Sequence, residues 1–446
     1  MKRRIAVSVS IPVGAAILLL NLAGTPGPQP SAEPDPAQAA PVWQAVGPYG
    51  GWIGSLVKNP KNPRELFALV SSSPSQIFKS SNAGSSWKRI GLVRASLGDL
   101  AVHPSNPNVL YSISNTSVFK SSDQGRTFKE LPQPYPKLAR LDGNISIDPR
   151  KPDTIRISGS YRYGDNLNKR CLAVFVSKNG GLSWTVHKFE ADAKPDYTFD
   201  PRVAASPVRS GLVFFSGSYR SGSRLSIRVL KSVNGGTTWT DVTGSISQSP
   251  HDLLLHPKDP DRIFIATDRS VYRSSDGGKS WAKQLSPNSM PAGVLGMDST
   301  DPRVLYSGGG IFALGAPVFI YKSVDGGVKW TRSKPDTGLA GDCARIVEGA
   351  GSVYFASSVG IFKSADGGNT WKPGHAGIAA STVPAFALAP TSPKTIYAEI
   401  SSYACFKTVN AGGSWIKLGN FAGCGQVLKI ISHPSIADTV YLLKGG

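Results

Sequence analysis

Ser274-Ser275-Asp276-Gly277-Gly278-Lys279-Ser280-Trp281 decides the fold, because the pattern Ser-x-Asp-x-Gly-x-Ser/Thr-Trp recurs eight times in 446 residues. It begins at Ser80, Ser121, Ser177, Ser232, Ser274, Ser323, Ser364 and, with Thr for Ser, at Thr408. The box reads as a turn between two strands. Asp123, Asp276, Asp325 and Asp366, or Asn82, Asn179, Asn234 and Asn410 in their place, fold a side chain back onto turn amides, and the Gly two residues on supplies a left-handed backbone. The closing aromatic is large enough to pack between neighbouring sheets, which accounts for Trp87, Trp184, Trp239, Trp281, Trp330, Trp371 and Trp415. Box two has Phe128 there, and box six has Lys329 where Ser or Thr is usual. A feature repeated once per module does what every module needs, so the box carboxylates are expected to hold the fold. Chemistry is to be sought in what does not repeat.

Boxes are separated by 41 to 56 residues, the length of a four-stranded blade. Each module shares one grammar: an apolar strand ending in a His-Pro-like turn (Leu100 to Pro104, Leu253 to Pro257), a second strand, a third ending before the box, and a fourth opened by the Trp. Such a sheet cannot bury both faces alone, so the expectation is an all-β propeller of radially stacked blades with the boxes between third and fourth strands. The first strands would line the axis. A lone strand at 43 to 46, eight full sets, and two closing strands near 427 to 433 and 439 to 443 predict eight or nine blades.

The boxes resemble those of the Asp-box, or BNR-repeat, propellers, a group that includes sialidases, xyloglucanases, the sortilin luminal domain and a photosystem II assembly factor. The resemblance covers residues 43–446 and implies the propeller fold; the boxes specify no activity.

Lys2-Arg3-Arg4 before an apolar run from Ile5 to Gly24 reads as a secretory leader, so residues 1–24 are a signal peptide or an uncleaved membrane anchor. Residues 25–42, rich in Pro and Ala, read as a linker, and 43–446 as the propeller. The protein is expected outside the cytoplasm, secreted, periplasmic or tethered through residues 5–24, and as a monomer. Four cysteines in an exported chain favour disulfides; Cys405 and Cys424 fall on one face of adjoining sheets and are the expected pair. No metal-ligand spacing or phosphate-binding Gly-rich loop occurs, so no metal or cofactor is expected. The net charge of +20 favours an acidic partner, but no motif supports nucleic acid. Part of that charge is a Lys or Arg before the box (Lys79, Lys120, Lys231, Arg273, Lys322, Lys363, Lys407), read as protection of outer strands against edge pairing.

The grammar places first-to-second-strand loops and boxes on one face, and the remaining loops on the other, where a propeller usually builds a site. Two long loops there contain Ser-Gly-Ser-Tyr-Arg, at 158–162 and 216–220. They gather Tyr161, Arg162, Tyr163, Arg170, Tyr219, Arg220 and Arg224 as candidate ligand-binding residues, suited to an anionic glycan or acidic strand. Duplication without function is the competing reading. Trp52, after two glycines, is a candidate sugar platform or a packing residue.

Carboxylates on that face are the candidates for catalysis. Asp99, Asp252 and Asp342 stand near the starts of first strands, and Asp268 follows a second strand. A glycosidase needs two carboxylates about 5 Å apart for retention or roughly 6.5 to 9.5 Å for inversion. Ala266-Thr267-Asp268 is similar to the Thr-Asp of xyloglucanases, although Arg269-Ser270 replaces that family's Gly-Gly. The Arg-Ile-Pro motif of sialidases is missing. The sequence therefore points to an exported, non-catalytic propeller binding a polysaccharide or extended peptide. The alternatives are a xyloglucanase-like hydrolase using Asp268 with Asp252 or Asp99, and an assembly scaffold for a membrane complex.

Overall fold

The computed structural model describes residues 53–444 except 72–73, 134–138, 164–168, 190–196, 285–292, 299, 310–318, 334–342, 350, 358–359, 374–385, 390–391, 401–403, 411–413, 421–426 and 433–439. The leader, the linker, the strand expected at 43 to 46, Trp52, Asp342 and Cys424 lie outside the described residues, as do the side chains of Tyr163 and Cys405.

Short runs of β-branched and aromatic residues between Gly- and Ser-rich turns fold as antiparallel meanders whose strands follow chain order. Seven such sheets span 53–93, 99–130, 139–189, 197–241, 250–284, 294–332 and 343–373. Their innermost strands touch in succession from Ile53–Asn59 to Cys343–Gly349, and the last packs back against the first. The ring therefore closes at seven blades, which corrects the expected eight or nine. An eighth sheet, 386–420, is made from the eighth repeat, and Val427–Ser432 pairs with Val440–Lys444 beside it. Counting boxes counts sheets; ring membership depends on which sheet presses on the first, a contact between residues about 290 apart, as in Lys58–Glu348.

The repeated turn works through one hydroxyl and one side-chain oxygen. Ser274 Oγ donates to Asp276 Oδ1 at 2.8 Å and accepts the Gly278 amide at 2.8 Å, while Asp276 Oδ1 accepts the Ser280 amide at 3.0 Å. Asn82 makes the same bonds with Ser80 and Ser86. Gly278 has φ +88°, where a Cβ would be strained. The Ser280 hydroxyl and amide hold the Asp276 carboxyl down at about 2, and the Thr127 bonds hold that of Asp123 at about 2 against the upward push of burial. These carboxylates are spent on the turn. Trp87, Trp281, Trp330 and Trp371 are buried between blades, whereas Trp184, Trp239 and Trp415 are half-buried.

A second repeated device joins the blades. Directly across each sheet from the basic residue before the turn sits a second-strand aromatic: Phe67 with Lys79, Tyr111 with Lys120, Phe214 with Lys231, Tyr306 with Lys322, Tyr354 with Lys363. The ammonium groups lie 5.5 to 5.9 Å from the ring centroids, within cation–π range. The pair then reaches the next blade's turn. Tyr111 Oη donates to Gly180 O, Lys231 Nζ to Gly277 O and Tyr306 Oη to Gly367 O. Blade seven does the same to blade one, Tyr354 Oη and Lys363 Nζ both donating to Ala83 O at 2.8 Å. Lys231 and Lys363 are thus inter-blade latches, a role that the reading of these residues as edge protection did not include.

Blade three departs from this rule and compensates. Val176 stands where a Lys is expected, and its cross-strand partner is Arg156 in place of the aromatic. Arg156, 2% exposed, donates through Nη1 to Asp148 at 3.2 Å and through Nη2 to Gly235 O on blade four's turn at 3.3 Å. One guanidinium does the work of the pair.

Candidate functional site

Where each inner strand opens at the axis, the chain places one residue with a common task. Asp99 Oδ2 accepts the Ile145 amide (3.0 Å), Asn144 Oδ1 the Val203 amide (2.8 Å) and Asp252 Oδ2 the Leu295 amide (2.9 Å). Each acceptor reaches the residue that follows its counterpart in the next blade, so Asp99, Asn144, Arg202, Asp252 and Val294 are equivalent positions. Asp99 also accepts from Ser55 Oγ and from Arg345 Nη2 at 3.0 Å, and the second Asp252 oxygen accepts the Leu253 amide. Each carboxylate thus joins its blade to the next, and Asp252 also accepts within its own strand. Asp99 and Asp252 therefore tie blades together, while Asp268 meets His251.

Above this girdle, on the face opposite the boxes, a cavity of about 350 Å³ opens at the mouth of the axis. Gly54, Gly98, Gly143 and Gly293 make its rim, and its polar groups are Asn115, Asp142, Asp200, Arg202, His251 and Arg345. Arg202 and Arg345 also line the deeper space of about 400 Å³ beside Asp99 and Asp252.

The seam between blades four and five holds a clamp that the sequence reading missed. His251 Nδ1 lies 2.6 Å from Asp200 Oδ2, and His251 Nε2 lies 2.6 Å from Asp268 Oδ1. An imidazolium donates from both ring nitrogens, which matches a carboxylate at each. Burial pulls the His251 pKa down, but the bonds and charges of Asp200 and Asp268 outweigh it and raise it. Burial pushes Asp200 up; His251 and the Arg202 charge more than offset this and leave it lowered. Asp200 has φ +39° at a bulge between Phe199 and Arg202, a left-handed backbone that a non-glycine residue adopts at a cost. Arg202 Nε donates to His251 O at 2.9 Å and completes the group. Asp142, at the mouth, accepts from Ser160 Oγ at 3.1 Å, and crowding by the protein around its carboxyl pushes it upward against the pull of that bond and of the Arg140 and Arg170 charges.

Arg202, Arg345 and protonated His251 thus face Asp99, Asp142, Asp200 and Asp268. The mouth is close to charge balance, and the excess of +20 lies elsewhere on the chain. Among the described residues no three His, Cys, Asp or Glu side chains converge as metal ligands.

The paired Ser-Gly-Ser-Tyr-Arg segments are the ends of long strands, Ile155–Tyr163 with Lys169–Ser177 and Val213–Ser221 with Arg224–Ser232. Arg162, Arg220 and Arg224 are exposed and Arg170 is half-buried. Tyr161 and Tyr219 are buried in blade cores, in contrast to the exposed plates expected. The cause is strand alternation, which sends adjacent Tyr and Arg to opposite faces. Gly159 and Gly217 are packing requirements: a Cβ would meet Arg140 O at 2.2 Å or Leu172 Cδ1 at 3.1 Å. Cys171 is buried in the blade-three core.

Residues 75–194 match the family model of sortilin, neurotensin receptor 3, and residues 231–418 that of the photosynthesis system II assembly factor YCF48. No curated protein matches the sequence. Among solved structures, the GH74 enzyme of Niastella koreensis is similar over 90% of this chain and 70% of its own, with 16% identity and TM-score 0.60. YCF48 from Cyanidioschyzon merolae is similar over 70% of this chain and 95% of its own, with 15% identity and TM-score 0.49. The seven-bladed ring and its matches make this chain a BNR-type β-propeller. It is similar to the sortilin and YCF48 families in separate segments and to the GH74 enzyme in fold, and likeness of fold does not carry an activity.

Proposed function

We propose that the chain is an exported Asp-box propeller that binds an extracytoplasmic ligand, a carbohydrate or extended peptide, at the mouth of its axis without transforming it. The supporting observation is the mouth itself. A polar cavity lined by Asn115, Asp142, Asp200, Arg202 and Arg345 presents donors and acceptors of the kind that sugar hydroxyls or peptide amides satisfy. Meanwhile Asp99 and Asp252 are bound to backbone amides, and Asp268 to His251. The box carboxylates are held by their own turns, consistent with a structural role.

One observation favours a glycoside hydrolase as the second reading. Asp142 and Asp200 line one cavity, and their surroundings move their pKa values in opposite directions, up and down, as an acid and a base require. The full chain incubated with neutral and anionic polysaccharides and with peptides distinguishes the two. Binding that survives Asp142→Asn, is lost with Arg202→Ala, and releases no reducing sugar is the expected outcome. Sugar release that Asp142→Asn abolishes would replace binding with hydrolysis.

A further inference from the structure

The girdle asks the same thing of each blade, an acceptor for the amide that the next blade presents. Asp99, Asn144 and Asp252 supply it. Arg202 holds that place in blade four, opposite Ser216 of the second strand as Asp99 is opposite Ile113 and Asp252 opposite Ala266. A guanidinium has no lone pair to offer. The Leu253 amide, which the pattern would hand to residue 202, is accepted instead by Asp252 Oδ1 of its own strand at 2.9 Å. Arg202 thus gives up a tie, and Asp252 makes good the loss. Val294 gives up a tie as well, but its side chain is buried in the apolar core between blades six and seven.

What Arg202 gains is access to the axis. Its side chain lines both the mouth and the deeper space, so it stands where the two meet. Nε donates to His251 O, while Nη1 and Nη2 meet no acceptor among the described residues and are not sealed off from solvent. The nearby carboxylates are already taken. Asp99 accepts from Arg345, Ser55 and the Ile145 amide, Asp252 from two amides, and Asp200 feels the Arg202 charge but bonds to His251. Asp142 accepts from Ser160. A residue that weakens the structural pattern and leaves two donors unspent in a cavity is placed there for something that enters the cavity.

We infer that the mouth receives a carbohydrate bearing a carboxylate, a uronic acid residue, seated with its two carboxylate oxygens on Arg202 Nη1 and Nη2. A planar two-oxygen group matches the guanidinium fork, and it adds a single charge to a mouth that is close to balance. The rim favours a sugar over a peptide. Gly54, Gly98, Gly143 and Gly293 make no pockets for alternate side chains, by which an extended peptide is read. Asn115, Asp142 and Asp200 instead offer acceptors to ring hydroxyls. The inference rests on the mouth being a ligand site, as proposed above, and names what that ligand carries.

Calorimetric titration of the full chain tests it with trimers of galacturonate, mannuronate and glucuronate, the methyl esters of the same trimers, cellotriose and triglutamate. The expected result is saturable binding of at least one acid trimer, one per chain, with its methyl ester at least about tenfold weaker, since the ester has lost the charge that the fork meets. Arg202→Lys keeps the charge and loses the fork, so the acid should weaken several-fold and the ester should not. Arg202→Asn is the sharpest variant, because it installs the acceptor that blade three already has in Asn144. The free protein should melt close to the parent, while acid and ester become equal. Arg303→Ala, which removes an exposed charge from the box face, should leave affinity for the acid within about twofold. Equal binding of acid and ester by the parent would overturn the inference, as would triglutamate binding as tightly as the uronates. So would equal losses from Arg303→Ala and Arg202→Lys, which would mean only the general field of a basic protein. Cellotriose binding as tightly as the acids would overturn it too, but would leave the mouth a ligand site. Reducing sugar released from a bound acid, and abolished by Asp142→Asn, would instead remove the non-catalytic reading and leave the preference for the acid standing.

Discussion

Blade three permits a test of the inter-blade latch by substitution and restoration. Arg156→Ala removes a guanidinium that is 2% exposed from an Asp148 side chain that is 6% exposed. Breaking a buried pair by deleting one partner costs about 3–5 kcal/mol, and the lost bond to Gly235 O adds about 1 kcal/mol. Val176→Lys alone should also destabilise, because it places an ammonium opposite Arg156 in a buried cross-strand pair. Arg156→Tyr with Val176→Lys, however, installs what blade six already carries. There Tyr306 and Lys322 form the latch, and Asp298 occupies the place of Asp148, with its amide bonded to Val304 O as that of Asp148 is to Thr154 O. The double variant should therefore be more stable than the sum of its single variants by at least about 2 kcal/mol, a coupling typical of residues in direct contact. Urea unfolding of the wild type, Arg156→Tyr, Val176→Lys and the double variant, followed by circular dichroism, gives that coupling. Strict additivity would refute the equivalence of Arg156 to the aromatic–lysine pair.

Two further outcomes follow from the same contacts. Tyr354→Phe combined with Lys363→Ala removes both donors to Ala83 O, which should cost about 2 kcal/mol and reduce amide exchange protection in Ile53–Asn59 and Cys343–Gly349; unchanged protection would mean that the ring does not close there. The clamp also sets a pH window. His251 has a folded pKa raised above 6.5, so its stabilisation is complete below 6.5 and lost as pH rises through the raised value. Asp200 has one lowered below 3.8, so its contribution is present above 3.8 and lost as pH falls through the lowered value. The melting temperature of His251→Ala should approach that of the wild type at alkaline pH and differ most between these limits; a difference constant with pH would remove the imidazolium from the account.

How much could be read in advance depended on how local each feature is. The turn at Ser274 to Trp281 closes through bonds between residues two and four apart, so its residues spell it out. The blade number did not, because Lys363 meets Ala83 across 280 residues and the aromatic–basic pair is not peculiar to the repeat that ends the ring: Tyr397 and Lys407 of the eighth carry it too. Asp99 and Asp252 were legible as special positions near the axis; a polar residue before an apolar one recurs at Asp99-Leu100, Asn144-Ile145, Arg202-Val203 and Asp252-Leu253. That recurrence marks a structural tie. Tyr161 and Tyr219 were placed on the surface although a two-residue period sends each Tyr and the following Arg to opposite faces. The clamp could not be read, since Asp200 reaches His251 only through a bulge and a left-handed residue.

Apart from Phe128 in box two, Lys329 in box six and Val294 on the sixth inner strand, the departures described fall in neighbouring blades. Blade three has exchanged its latch for Arg156; blades three and four have the lengthened hairpins with their facing arginines. Blades four and five share the clamp of Asp200, His251 and Asp268, and Asp142 opens blade three beside it, where Gly143 approaches Pro201 O. Blades one, two, six and seven keep closer to the common plan. Drift would distribute such changes evenly, because every blade solves the same packing problem with its two neighbours. Their concentration in three consecutive blades makes that sector the place to test the function proposed above.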